Sequence, residues 1–348
     1  MLKIFCKAFL CLLAGMSFIT TEAAACSLAV LNGNGNMIIA RTMDWKTPDG
    51  DVVKNYPGIK RTAQLILLNP YEWTSKYGSI SFNLIEDVPL LGATSVPGCG
   101  LNKKGLYAAE LWVTGPPRVK YPLDSSKPWL TSAEVVQMLL DNCANVEEAI
   151  AQFNKVSLEG FTLFHSLDMS LDLHYFVTDS SGKTAILEYP NGHMNVKVSP
   201  SHNVMTNNFL NASNAALIKL KGFGGTQDIP KVISFAKKTS LMRYVLTCDS
   251  LVRLQDSGQV TIDSGFTLLD RISTLNSPVT AGGKHRITTQ WSIVYDMTNK
   301  IITYTSSQNS NKRIINMSNL TFPMRIPTEK RISVQSSDVG NITNIFSD

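Results

Sequence analysis

Cys26 directly follows Ala23-Ala24-Ala25, and Arg41-Thr42-Met43-Asp44 comes shortly after it. A thiol, a guanidinium and a carboxylate so close in sequence are the components of nucleophilic acyl chemistry, provided a base is at hand. Three readings of Cys26 compete. Free cysteines are commonly buried small hydrophobes. A cysteine placed directly after a leader can carry a lipid, and its sulfur would then be a thioether without nucleophilicity. A cysteine that becomes the first residue of the mature chain carries a thiol and a free α-amine together. That amine has an ordinary pKa near 7.7–8.0, against about 10.4 for a lysine, so it can take a proton near neutrality. Arg41 would favour the thiolate, and Asp44 would hold the amine or the guanidinium in place.

Residues 1–25 have the pattern of a secretory signal. Lys3 and Lys7 give a basic start, Ala8 to Ile19 an apolar centre, and Ala23 and Ala25 the small residues a signal peptidase requires. The apolar run is short for a transmembrane helix, so stable membrane insertion is not expected. Export to the periplasm or outside the cell, with cleavage after Ala25, would make Cys26 the N-terminus. A lipoprotein usually has a larger aliphatic residue where this chain has Ala23, and a flexible polar tether where this chain starts a strand.

The rest of the composition narrows the function classes. Apolar residues make up 44% and charged residues 17%, as in a folded globular protein. One domain over residues 26–348 is the simplest organisation, with a loosely ordered polar tail after about Lys330. Loss of Lys3, Lys7 and Glu22 lowers the formal net charge from +5 to +4. The basic residues are scattered, so no nucleic acid partner is implied. Cys26, Cys99, Cys143 and Cys248 remain after the leader, with no CxxC pair, and the five histidines are dispersed. Neither a metal site nor any other cofactor is implied. Disulfide pairing among Cys99, Cys143 and Cys248 stays open.

The elements that must position Cys26 are legible. Ser27–Leu31 and Met37–Ala40 read as strands joined by Asn32-Gly33-Asn34-Gly35-Asn36, a dense hairpin signal. Pairing of Leu31 near Met37 would return Arg41 to the side of Cys26, with Asp44 just beyond. Thr131-Ser-Ala-Glu134 reads as a capping box before a helix, and Asn145 as the cap of a second. Leu173 to Tyr189 and His193 to Asn208 alternate like antiparallel strands, with a turn at Ser180-Ser-Gly182. Gln290 to Ser307 reads as a late hairpin turning at Asn299-Lys300. Strand pairs, then helices, then strand pairs predict an α+β layered protein with antiparallel sheets.

These residues resemble the choloylglycine hydrolase family, the penicillin V acylases and bile salt hydrolases among cysteine N-terminal nucleophile (Ntn) hydrolases. The carriers are Cys26, the turn and Arg41-x-x-Asp44; Gly100 to Trp112, "GLNKKGLYAAELW"; Asn203 to Asn208, "NVMTNN"; and the late hairpin. The resemblance implies a four-layer αββα sandwich and attack of Cys26 on the carbonyl of a linear amide. It assigns the oxyanion hole to Asn207 and a main-chain N–H of the segment ending at Trp112; the alternative for Asn207 is a turn residue. The family's second arginine matches Arg243 in Ser240-Leu-Met-Arg243-Tyr, although no Pro-Gly loop precedes it, and a surface helix arginine is the alternative. Trp45 and Trp112, with Met43 extending their wall, would bind the acyl group, or else pack the core. The paired tryptophans are similar to the Gram-negative penicillin V acylase branch, which is also associated with N-acyl homoserine lactones. The expected partner is thus a small N-acyl amide, with conjugated bile salts and a lipid-anchored binding role as alternatives. A homodimer or homotetramer is compatible with the family pattern.

Overall fold

The structure is a computed structural model and describes residues 26–64, 68–88, 92–114, 116–163, 169–199, 203–229, 239–274, 279–281, 285–324 and 329–348. The expected leader, residues 1–25, lies outside the described residues.

Two eight-stranded sheets carry the fold. The first runs in the order Val204–Met205, Ser27–Gly33, Asn36–Trp45, His285–Asp296, Ile301–Ser306, Arg313–Asn316, Gly340–Asn341, with Val279–Ala281 beside His285–Asp296. The second runs Asn195–Val198, Thr184–Glu188, Leu173–Thr178, Tyr107–Trp112, Gly92–Asn102, Ser79–Val88, Gly50–Asn55, Lys330–Ser333, antiparallel throughout. The sheets face each other across an aromatic core. Phe82 of the second meets Tyr304 of the first edge-on at 5.1 Å, and Tyr107 meets Tyr295 at 4.9 Å. Helices Ser240–Ser257 and Ile262–Ile272 cover the outer face of the first sheet, and Val135–Asn142 and Val146–Phe153 that of the second. This is the αββα sandwich that the resemblance implies.

The first hairpin shows how local chemistry fixes the register. Asn34 and Gly35 have φ of 53° and 77°, the two positive values a type I′ turn requires. The turn pairs Leu31 with Ile38, one residue from the expected partner, and Ser27 with Thr42. Asn145 caps its helix by accepting a hydrogen bond from the Glu148 amide at 2.9 Å.

Three expectations are corrected. Thr131 makes no capping bond; its hydroxyl donates to Glu134 Oε2 at 2.8 Å, because Thr131 ends a short strand and a 3₁₀ turn precedes the helix. Asn195–Val198 and Val204–Met205 lie in different sheets, so this stretch crosses the sandwich. The segment after Lys330 is ordered into both sheets. Phe346 is fully buried, and Asp348 accepts hydrogen bonds from Lys54 at 2.8 Å and Tyr56 at 2.6 Å. The four cysteines from Cys26 onward are all free thiols.

Candidate active site

Cys26 begins the described chain just before strand Ser27–Gly33, which pairs with Asn36–Trp45 in the first sheet, and it is buried. Its Sγ lies 3.4 Å from the Met43 sulfur and 3.9 Å from Arg41 Nη2. Strand alternation explains what surrounds it. Arg41, Met43 and Trp45 share one face of the strand and Thr42 and Asp44 the other.

Arg41 reaches into the second sheet. There the pairing of Gly92–Asn102 with Tyr107–Trp112 ends at Cys99 and Ala109. The next rung is supplied by the Arg41 guanidinium, which donates to the Gly98 carbonyl at 2.6 Å and to the Glu110 carbonyl at 2.8 Å. A buried cation thus satisfies two main-chain carbonyls at the point where the ladder that would pair them with cross-strand amides has ended. Gly98 also leaves room for Met43, since a Cβ there would meet the Met43 methyl at 2.6 Å.

On the opposite face, Asp44 accepts from Thr289 Oγ1 at 2.6 Å and pairs with Arg243 at 3.5 Å. The guanidinium that Asp44 holds is therefore that of Arg243, in helix Ser240–Ser257, and not that of Arg41 across the strand. A bulge between Thr289 and Trp291 aligns Thr289 with Asp44.

Arg243 is fully buried, which excludes the surface-helix alternative. Its Nη1 donates to the Cys26 carbonyl at 3.1 Å and to Ser27 Oγ at 2.8 Å, and its Nη2 donates to Asn207 Oδ1 at 2.7 Å. Asn207 Nδ2 in turn donates to the Trp112 carbonyl at 2.7 Å, and the Asn207 amide donates to Ser240 Oγ at 2.9 Å. Asn207 is thus fixed at side chain and main chain alike, one guanidinium away from Cys26.

A narrow cleft opens onto the thiol, lined by Arg41, Met43, Trp45, Glu110, Trp112 and Leu173 among others, with about 30 Å³ of water-accessible space. Trp45 and Trp112 meet edge-on at 6.1 Å, and the Trp45 indole N–H donates to Glu86. All eight residues singled out in the sequence therefore lie around one point.

The electrostatics differ from expectation in one respect. Burial pushes the Cys26 thiol above its ordinary value, and the opposing pull of Arg41 and of the Asp44 main-chain amide does not offset it. Burial raises the Asp44 carboxyl too, against Arg243 and the hydroxyls of Thr289 and Thr42.

Sequence reasoning missed Thr289, Ser240, Gly98 and Glu110 as parts of this arrangement. Strand alternation from Trp112 would have placed Glu110 on the cleft face; the others depend on pairings between distant segments.

A family profile, linear amide C–N hydrolases of the choloylglycine hydrolase family, matches residues 26–228. A penicillin V acylase of Pectobacterium atrosepticum is 32% identical over 174 residues, 49% of this chain, and the chain spans 45% of that relative's length. The solved penicillin V acylase from Agrobacterium tumefaciens superposes with a TM-score of 0.69 at 24% identity, covering 91% of this chain and 95% of that one. A conjugated bile acid hydrolase from Clostridium perfringens gives 0.70 at 16% identity, covering 88% and 96%. The two structural likenesses establish the sandwich fold, and the profile match over more than half the chain establishes the family: the chain belongs to the choloylglycine hydrolase family of linear amide C–N hydrolases.

Proposed function

We propose that this protein hydrolyses the linear amide of an N-acylated small molecule through a thioester on Cys26. The observation that carries this reading is the convergence of Arg41, Asp44, Asn207 and Arg243 on Cys26, the first residue of the family match. Export and cleavage after Ala25 expose the Cys26 amine. The amine takes the thiol proton, and the thiolate attacks the amide carbonyl carbon. The negative charge that develops on the carbonyl oxygen is met by the Asn207 side-chain amide and the Trp112 main-chain N–H. The latter points the same way as the Trp112 carbonyl that Asn207 holds. The C–N bond breaks as the Cys26 ammonium returns its proton to the leaving amine. Water, deprotonated by the same amine, then releases the acid and restores the thiol.

The acyl group enters between Trp45 and Trp112, beside Met43. A slot this narrow, walled by indoles, suits a flat aryloxyacetyl group or an extended aliphatic chain better than a fused steroid. The penicillin V acylase identity of the Pectobacterium relative supports the same choice, and N-acyl homoserine lactones have the matching chain. The lipid-anchor reading is disfavoured because the Cys26 sulfur faces the interior, against Met43 and Arg41.

The test uses protein processed to start at Cys26. Turnover of penicillin V or an N-acyl homoserine lactone, with a transient mass increment equal to the acyl group, is expected. Cys26→Ser should lose the increment and nearly all turnover while remaining folded. A diacylglyceryl mass on Cys26 would sink the reading.

A further inference from the structure

We infer that Glu110 selects the acyl group: its carboxyl donates a hydrogen bond to an ether or ketone oxygen carried close to the scissile carbonyl. The inference rests on the amidase reading above and goes beyond it, since it names a chemical requirement of the substrate.

Glu110 lies two residues before Trp112 on the same strand and opposite Tyr175 on the next, so its side chain shares the face of Trp112. Both residues line the cleft with Cys26. The rest of that wall is apolar apart from the thiol and Arg41, yet Glu110 Oε2 is buried and has no hydrogen-bond partner among the described residues. Such an atom normally finds a partner, and Glu110 is one of the residues that line the cleft.

The scaffold does not consume this carboxyl. The grip of Arg41 falls on the Glu110 main-chain oxygen and leaves the side chain out of the rung. The nearby phenols are committed elsewhere, Tyr121 to the Leu173 carbonyl at 2.9 Å and Tyr175 to the Ser132 carbonyl at 2.9 Å. Burial holds the Glu110 carboxyl well above the usual carboxylate range, against the pull of Arg41, and so favours the form that has an O–H to donate.

Position decides which part of the substrate is read. Arg41 Nη2 touches both the Glu110 carbonyl, at 2.8 Å, and Cys26 Sγ, at 3.9 Å. The Glu110 main chain is therefore one guanidinium away from the thiol, and the acyl oxygen that the carboxyl reads would lie in the cleft that both residues line. An oxygen there pairs with the acid; a methylene leaves the buried O–H unpaired, and sites built to bond a substrate oxygen discriminate strongly against its isostere.

The test compares two isosteric anilides on the processed protein, phenoxyacetyl-4-nitroanilide and 3-phenylpropanoyl-4-nitroanilide, which differ by one oxygen for one methylene. The wild type is expected to favour the ether in kcat/KM by about tenfold. Glu110→Leu should bring the ratio to about one, and Glu110→Gln, which keeps an N–H donor, should restore the preference. In the wild type the preference should fade as pH rises through the titration of Glu110, while that of Glu110→Gln stays flat, a comparison that holds even if Glu110→Leu does not fold. No preference in the wild type, or an unchanged ratio in Glu110→Leu, overturns the inference. Absence of turnover of both anilides by the wild type sinks the amidase reading instead. Equilibrium binding of phenoxyacetamide and 3-phenylpropanamide to Cys26→Ala then still decides the role of Glu110.

Discussion

Arg243 and Asp44 meet at 3.5 Å with neither side chain exposed to solvent, although 199 residues separate them. The pair joins an outer helix to a central strand, and the same guanidinium ties down Cys26, Ser27 and Asn207. Removing one partner of a buried pair strands the other charge, at a typical cost of about 3–5 kcal/mol. Arg243→Met should therefore unfold at markedly lower denaturant, and Arg243→Met combined with Asp44→Asn should recover part of the loss. Arg243→Lys keeps the charge but not the fork that spans Cys26 and Asn207. It is expected to lose more than tenfold in kcat/KM, for a smaller drop in stability. Chemical denaturation and amide hydrolysis on the same preparations check both; full stability in Arg243→Met would remove the pair from the fold's supports.

The Cys26 thiol gives a pH prediction whose sign follows from burial. In the chain with residues 1–25 attached, the thiol titrates above the ordinary 9.0, because desolvation penalises the thiolate more than Arg41 favours it. The reactive fraction at neutral pH is then smaller than for an exposed cysteine, and the alkylation rate should still be climbing at pH 9 instead of levelling off. Arg41→Met removes the main opposing pull and should move the midpoint higher still. Iodoacetamide kinetics against pH, followed by intact mass, measure this; a midpoint below 9 in the full chain is the contrary outcome.

Gly98 predicts a steric effect at the same sulfur. A methyl added there would approach Met43 Cε at 2.6 Å, and Met43 already lies 3.4 Å from Cys26 Sγ. The Met43 side chain is flexible, so Gly98→Ala should fold with a modest loss, about 1–3 kcal/mol. Displaced Met43 would narrow the cleft, and KM for long acyl chains should rise more than for short ones. Equal KM changes across a chain-length series would argue that Met43 moves away from the acyl path.

How much of this was legible in the sequence depends on the range of the interaction. The Asn34-Gly35 turn and the spacing from Cys26 to Arg41 and Asp44 are local, so pattern alone put the three groups at one strand end. The tryptophans, Asn207 and Arg243 were legible through family-like segments, without a statement of what they touch. The partner of Asp44 was misassigned between two guanidiniums because alternation puts Arg41 and Asp44 on opposite faces, and only the packing of a distant helix brings Arg243 in. The rung that Arg41 makes between Gly98 and Glu110 was not legible, since it requires two strands of the other sheet to part at a specific residue. The order of the tail was missed because its anchors, Lys54 and Tyr56, lie almost 300 residues away.

Asn207 yields the most discriminating test of the oxyanion assignment. Its oxygen accepts from Arg243 and its nitrogen donates to the Trp112 carbonyl, so deletion leaves two buried groups short of partners. Asn207→Ala should cost about 1–3 kcal/mol for each group left unsatisfied, and an activity loss in it would mix folding with catalysis. Asn207→Asp keeps the contact with Arg243 and loses the one with Trp112, so acylation is compared with binding on folded protein. The carboxylate still accepts from Arg243 and is held in place by it, but it offers no N–H and sets a negative charge where the oxyanion forms. Losing one such donor typically lowers kcat by about 10²–10³. Asn207→Asp is therefore expected to lower the denaturation midpoint, because a carboxylate oxygen then faces the Trp112 carbonyl, to acylate at least 10²-fold more slowly, and, in the folded fraction, to bind a non-hydrolysable substrate amide with little change. Slow acylation with intact binding assigns Asn207 to the transition state; equal losses in both would make it a residue that only shapes the cleft.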